Sequence, residues 1–391
     1  MGKVLLEEQN LIDIANSIRN KTGSSETMKP SEMATNIDNI SANLGTKTIT
    51  QNGIYNASDD NLDGYSQVNV ETNGADLSEY FAESITKGTS SIPGWLKNVI
   101  KLPAFKNIEG TSCAYMFSKF NGTEIDFSNF NTTNVTNMSY MFDDCVNLKT
   151  IDVSNFDTSK VTTMTYMFDN CDSVIELDIS NWDTSSLSDM SYMFNSSYRL
   201  QRVNLKGINT QKVTTVNSLF YGCQQLQSID LSDFDTSSLT TARRILRGCG
   251  NLQTANVTNF LKGTNVDVYE YFSQCYKLGE IIGINTWDTS LITSMDSLFY
   301  DCWVLPSLDL SNWDTSNVTN MNGMFYNCKV LAHLDIRNFD FTNVTSYSSM
   351  FSGVPNNCEI IVKDETAKQW VLAKKSTFTN VKTIAEYESE V

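Results

Sequence analysis

The sequence predicts an α/β solenoid of about ten 26-residue units, their strands stacked into one parallel sheet. Three observations predict it. First, an apolar pair recurs at Met116–Phe117, Met141–Phe142, Met167–Phe168, Met193–Phe194, Leu219–Phe220, Ile245–Leu246, Tyr271–Phe272, Leu298–Phe299, Met324–Phe325 and Met350–Phe351. The nine steps between first members are 25, five of 26, 27, and two more of 26. Second, each unit repeats the same apolar spacing around a "DTS" turn. Third, cysteines keep the same register. Cys145, Cys171, Cys223, Cys249, Cys275, Cys302 and Cys328 each follow the second marker position by three residues, with Ser197 filling that slot once. A fixed period of 20–50 residues marks units that bury their apolar faces only against neighbours.

One unit, residues 141–164, shows the construction. Leu148, Ile151 and Val153 have the spacing of a short strand, with Asp152 on its opposite face. Phe156 is the next inward anchor. The "DTS" that follows is turn chemistry, because Asp, Ser and Thr side chains bond nearby backbone amides. Val161, Met164 and Phe168 recur at spacings of three and four, which reads as a short helical or extended return facing the core. At a strand spacing of about 4.8 Å, ten units make a stack roughly 50 Å long.

The flanks differ. Residues 1–43 read as two short helices. Ile12, Ile14, Ala15 and Ile18 form a stripe, Gly23 follows the stop, and Pro30 and Ser31 start the second helix. This is either a hairpin packed on its neighbour or a docking segment. Residues 46–75 contain a small β module, read as a hairpin from its alternating Thr, Ile and Val. Its Asp59, Asn61, Asp63 and Gly64 begin like a calcium loop, but Val70 stands where the bidentate Glu belongs, so an Asx-rich turn competes with calcium. Residues 76–110, with Trp95, Leu96, Ile100 and Leu102, would cap the open first layer of a solenoid spanning 111–358. Residues 359–391 switch to strand, helix, strand and would cap the other end; Asp364 stands as N-cap with late lysines behind it.

Composition bounds the function. Of 391 residues, 40% are apolar and 19% charged, as in a folded chain, and the net charge is −17. An acidic surface disfavours nucleic acid and anionic membranes. No apolar run is long enough for a secretory leader or a membrane span, so the chain reads as soluble and made in the cytoplasm. Nine cysteines without a leader read as buried thiols in a small-residue slot, against the competing disulfide and metal readings. No Cys pair has zinc-ligand spacing, and no cofactor motif occurs.

The phrase "LDLSNWDTSNVTNMNGMFYNC" resembles the 26-residue repeat of the BspA-like leucine-rich-repeat family of bacterial surface proteins, over about 111–358. That resemblance implies an adhesion or interaction module. Two flanking stretches, "LIDIANSIRNKTGSSETMKPSEMATNI" at 11–37 and "TKTITQNGIYNASDDNLDGYSQVNVET" at 46–72, resemble tail proteins of Firmicutes phages and prophages. Together they imply a phage tail fibre or receptor-binding protein, carried on the virion tail and assembled in the host cytoplasm. Its partners would be a host cell-surface protein or glycan and other tail or baseplate proteins. Such tail proteins are often homotrimers, although no residue here fixes the number. The alternatives are a bacterial cell-surface adhesin and a tail enzyme that degrades host glycan.

Catalysis has little support. The single histidine, His333, sits beside a repeat strand and reads as a surface residue, and no hydrolase or P-loop motif occurs. Candidate ligand-binding residues come in two groups. One is an outward column, Asp126, Asp152, Asp178, Asp230, Asp309 and Asp335, with Asn204 and Asn256 in the same slot. It reads either as a solvated face bonded to turn amides or as a surface for sugar hydroxyls or a cationic partner. The other is Arg243, Arg244 and Arg247, where the consensus breaks and Arg244 replaces the Tyr of earlier units. Drift on a solvated face competes with a functional patch.

Overall fold

The computed structural model describes residues 111–390, except 121, 126, 128, 129 and 263–265, together with four short N-terminal strands. Those four are β1 (Lys47–Thr50), β2 (Val68–Glu71), β3 (Lys101–Leu102) and β4 (Phe105–Lys106). The expected helices of 1–43, the Asp59–Gly64 loop, and Trp95, Leu96 and Ile100 lie outside the described residues. So does Asp126.

Short parallel sheets follow one another along the repeats. Their strands are β5 (Glu124–Ile125), β6 (Thr150–Ile151), β7 (Glu176–Asp178), β8 (Arg202–Asn204), β9 (Ser228–Asp230), β10 (Thr254–Asn256), β11 (Glu280–Ile282), β12 (Ser307–Asp309) and β13 (His333–Asp335). Every recorded strand pair is parallel and in register, one unit against the next, as in Asp178 opposite Asn204 and Asp309 opposite Asp335. β3 pairs with β5, so the ladder already begins before the first marker unit.

One expectation is corrected and one pair of alternatives is decided. β1 and β2 are not a hairpin: they pair parallel, Lys47 against Val68, and β2 pairs parallel with β4. The long connection 51–67 allows this, because a parallel pair needs a crossover rather than a tight turn. The return limb of each unit, read as helical or extended, is not helical. It is a second parallel ladder, bridged Ser112–Asn137–Thr163–Asp189–Thr215–Thr241–Asp267 and Ser294–Asn320–Ser346. There, alternate amides reach the next unit, as in Tyr140 N to Thr165 O (2.9 Å) and Phe142 N to Met167 O (2.9 Å). The amides between them close tight turns, as in Asp143 N to Tyr140 O (3.2 Å).

That alternation places two residues of every unit in the left-handed region. One slot runs Tyr115, Tyr140, Tyr166, Tyr192, Ser218, Arg244, Glu270, Ser297, Gly323, Ser349; the other lies four residues on. The 27-residue unit absorbs its extra residue in a 3₁₀ turn, Ile284–Thr286, entered through Gly283 at φ 76°.

Between the two ladders lies the core. Phe117, Phe142, Phe168, Phe194 and Phe220 stack face to face, with centroids 5.1–5.7 Å apart. Phe272, Phe299, Phe325 and Phe351 continue the column at 5.7–5.8 Å. Each such buried side chain contributes about 1.5–3 kcal/mol. Several polar side chains inside the core bond across units. The cysteine slot donates to the carbonyl of the preceding unit's Phe: Cys145 Sγ to Phe117 O (3.0 Å), Cys223 Sγ to Phe194 O (3.0 Å), and Ser197 Oγ to Phe168 O (2.7 Å). All nine cysteines are free and buried. The indoles of Trp182, Trp287 and Trp313 bond carbonyls of the unit before, at 2.9–3.1 Å. The "DTS" Thr also reaches across: Thr158 Oγ1 donates to Asp183 O (3.0 Å), while Asp157 accepts from Ser159 N (3.1 Å).

At the C-terminal end, β14 (Glu359–Val362) and β15 (Val381–Thr383) add two more parallel strands, and α1 (Glu365–Lys374) joins them. Asp364 caps α1 by accepting from Ala367 N (3.0 Å). A capping box of Thr383 and Glu386 opens α2 (Ile384–Glu388). No helix among the described residues is long and apolar enough to cross a membrane.

Candidate binding surface

Strand geometry presents two outward columns, flanking the inward residue of each strand. In β7–β9 these are Glu176 and Asp178, Arg202 and Asn204, Ser228 and Asp230, around Leu177, Val203 and Ile229. The nine residues line an open cleft of about 590 Å³. Arg202 bridges to Glu176 across the strands, and Asn204 Nδ2 donates to Asp178 Oδ2 (3.1 Å). Donors and acceptors therefore alternate over three strands.

The Asp column is first a set of turns. Each Oδ1 accepts the amide two residues on: Asp152 from Ser154 (3.0 Å), Asp178 from Ser180 (2.9 Å), Asp230 from Ser232 (3.0 Å), Asp309 from Ser311 (3.0 Å). Asn204 and Asn256 accept in the same way, from Lys206 and Thr258. The Ser154 and Ser180 bonds hold the Asp152 and Asp178 carboxyls below the usual range. At Asp309 burial pushes upward, but bonds from Ser311 and Asn285 prevail and the net shift is downward.

The column is not an unbroken ladder of charge. Asn204 and Asn256 stand beside Asp178 and Asp230 across β7–β10, so amides separate these carboxylates. Asp335 is also not on an open face. It is 5% exposed, beneath a forked contact from Arg337 Nε and Nη2.

Arg243, Arg244 and Arg247 do cluster, but not as free positive charge. Glu270 Oε2 accepts from Arg244 Nε and Arg247 Nη1, both at 2.7 Å, and Asp267 lies 3.4 Å from Arg243 Nε. Arg243 and Arg244 also lie over the Tyr269 ring, at 4.8 and 5.0 Å. The two acids come one unit later in the sequence, and Glu270 occupies the slot of Arg244. Matching charges at equal slots was the signal that reading each unit alone overlooks.

A third feature escaped the sequence. The four Tyr of the first left-handed slot, Tyr115, Tyr140, Tyr166 and Tyr192, form a continuous stack with centroids 4.4–4.7 Å apart. Beside it run Asp143 and Asp169. Burial, then Asp144 and Asp169, push the Asp143 carboxyl up to about 7. Burial is also the main cause raising Asp169, against the bond from Asn195 Nδ2 (2.6 Å). Burial and the neighbouring Tyr115 push Tyr140 up to about 12. His333 is engaged at the end of the sheet, its Nδ1 2.9 Å from Glu359 Oε2, and Lys382 holds the other oxygen at 3.0 Å. Among the described residues, no group of three or more His, Cys, Asp or Glu is placed to hold a metal ion.

These ladders and this outer face define a parallel solenoid of the leucine-rich-repeat kind. The chain belongs to the family described as "Mycoplasma protein of unknown function, DUF285", whose model matches residues 111–206, 195–283 and 266–387. It is similar to a leucine-rich repeat protein from Bacteroides ovatus ATCC 8483, with 14% identity over 86% of this chain and 83% of that one, at a TM-score of 0.40. A leucine-rich repeat protein from Eubacterium ventriosum ATCC 27560 matches at 16% identity, 82% and 89% coverage and a TM-score of 0.36. A leucine rich cell surface protein from Faecalibacterium prausnitzii A2-165 matches at 13%, 88% and 89%, and 0.28. No curated protein matches the chain.

Proposed function

We propose that this chain is a non-catalytic binding module that grips a bacterial surface ligand, most simply a glycan, with the outward face of β7–β9. The cleft over Glu176, Asp178, Arg202, Asn204, Ser228 and Asp230 carries this reading. Its side chains alternate charged acceptors, amides and a guanidinium, which matches the paired donor and acceptor character of sugar hydroxyls. Its acids suit binding better than proton transfer. Asp178 is held ionised by its turn bonds, whereas a general acid needs a raised pKa.

For display, the reading is a phage tail fibre, which rests on the resemblance of residues 11–37 and 46–72 to tail proteins. A bacterial surface adhesin fits the solenoid equally well.

The test uses the purified full chain on a bacterial glycan array and on whole cells. Asp178→Asn and Asp230→Asn keep the turn, as Asn204 and Asn256 already do, and remove the charge. Together with Arg202→Ala they should reduce binding at least tenfold. Equal binding by the triple variant and the parent discards the cleft. Co-sedimentation of the chain with tailed particles, rather than with cell envelopes, decides the display.

A further inference from the structure

The two ladders end at different places. On the sheet side, β14 and β15 continue past the last repeat. On the return side, no further turn follows residues 346–353 among the described residues. In the unit before, Gly323 N donates to Ser348 O (2.8 Å), Phe325 N to Met350 O (3.0 Å) and Asn327 N to Ser352 O (2.7 Å). The equivalent amides of the last unit are those of Ser349, Phe351 and Gly353. They meet no acceptor among the described residues.

These amides border a cleft of about 540 Å³. Residues 347–353 form one wall and Ala373, Lys374 and Lys375, at the end of α1, the other. The core is not what lies open: Phe378 closes it, edge-on to Phe351 at 5.5 Å. Gly353 keeps the edge in shape at φ 82°, where a Cβ would come within 2.9 Å of the Asn327 Cα. Lys374 Nζ lies 3.7 Å from the centroid of the Tyr347 ring, at the rim.

We propose that this edge is a docking site for a peptide segment of a partner protein, which adds one more turn to the return ladder. Its carbonyls at alternate residues accept from Ser349, Phe351 and Gly353, and an acidic side chain meets Lys374. An open row of amides is a template for another chain. The donors are spread over five residues, which suits successive carbonyls and exceeds the reach of one small anion. The same geometry already holds such a segment in each preceding unit.

The probe is an acetylated and amidated peptide copying residues 136–146, with Cys145 replaced by Ser. In the chain this segment accepts from Tyr115, Phe117 and Lys119 through Ser139 O, Met141 O and Asp143 O. It also carries two carboxylates for Lys374. At millimolar peptide, hydrogen exchange at Ser349, Phe351 and Gly353 of the full chain should slow at least tenfold. Ala373→Trp, which fills the cleft, should abolish the effect. Lys374→Glu, at the half-buried rim, should weaken binding about tenfold and serves alone if the first variant misfolds. Unchanged exchange at the three amides overturns the proposal. So does equal slowing in the filled variant, or slowing by inorganic phosphate without peptide.

Discussion

Arg244 and Glu270 occupy the same slot of successive units, both in left-handed backbone, with Nε and Oε2 2.7 Å apart. Arg247 shares that oxygen at 2.7 Å, so two guanidinium groups share one carboxylate. Removing a partly buried hub of this kind leaves its partners uncompensated. Glu270→Gln should cost about 1–3 kcal/mol in urea unfolding. A double-mutant cycle with Arg244→Ala should show coupling, and additive effects would mean that the pair does not interact.

Asp143 makes stability depend on pH. Its folded pKa of about 7 lies above the ordinary 3.8, through burial first and then Asp144 and Asp169. A group raised on folding stabilises the fold below its unfolded pKa, and that contribution is lost as pH rises through the folded value. Asp143→Asn should therefore equal the parent near pH 4. By pH 8 it should exceed the parent by on the order of 1–2 kcal/mol, allowing for partial exposure. Thermal unfolding at both pH values measures the difference.

Tyr271 stands where most units have an aliphatic marker residue, among Phe260, Phe272 and Trp287. Its hydroxyl is buried without a hydrogen-bond partner. A polar atom in that position costs about 1–3 kcal/mol. Tyr271→Phe should raise the unfolding midpoint, and a lowered midpoint would imply an ordered water on the hydroxyl.

Gly283 cannot carry a side chain. At φ 76° its Cβ would lie 2.1 Å from Thr258 Oγ1 and 2.4 Å from the Thr258 Cα. Backbone has to move to relieve this, so Gly283→Ala should cost about 3 kcal/mol or more. Thr258→Gly in the same chain should recover part of the loss, read by the same denaturant titration.

The thiols should be silent in the native state. Burial is the first cause pushing the Cys145, Cys249 and Cys328 thiols above their usual value, and only the thiolate reacts. A chromogenic disulfide reagent should label none of the nine until denaturant is added.

Much of the scaffold could be read before folding. The marker spacing revealed the stack, and the cysteine register revealed a column of thiols bonded to carbonyls. Asp364 announced the start of α1. The return limb stayed open between helical and extended because Val161, Met164 and Phe168 have helical spacing, yet tight turns with left-handed residues produce the same spacing. Gly222, Gly248, Gly353, Asn170 and Asn327, all in one slot, were the available clue, since these residues tolerate positive φ best. The parallel pairing of β1 with β2 was hidden because alternation along a strand says nothing about direction. The candidate surface was half legible. The Asp column was visible, but its interruption by Asn204 and Asn256 matters only once strands are in register. The paired arginines needed comparison across units rather than within one.

The carbonyls of Phe117, Phe142, Phe168, Phe194, Phe220, Phe272 and Phe299 each accept from the thiol or hydroxyl of the next unit, and most bonds on both ladders also run between units. Cohesion thus lies in the joints between units rather than inside them. Loaded mechanically from its ends, such a chain would peel from a terminus one unit at a time instead of failing as a block. Each release would pay out 26 residues, roughly 90 Å of extended chain. A tether built this way absorbs a sudden pull as a series of small steps, and each step can reseal when the load falls.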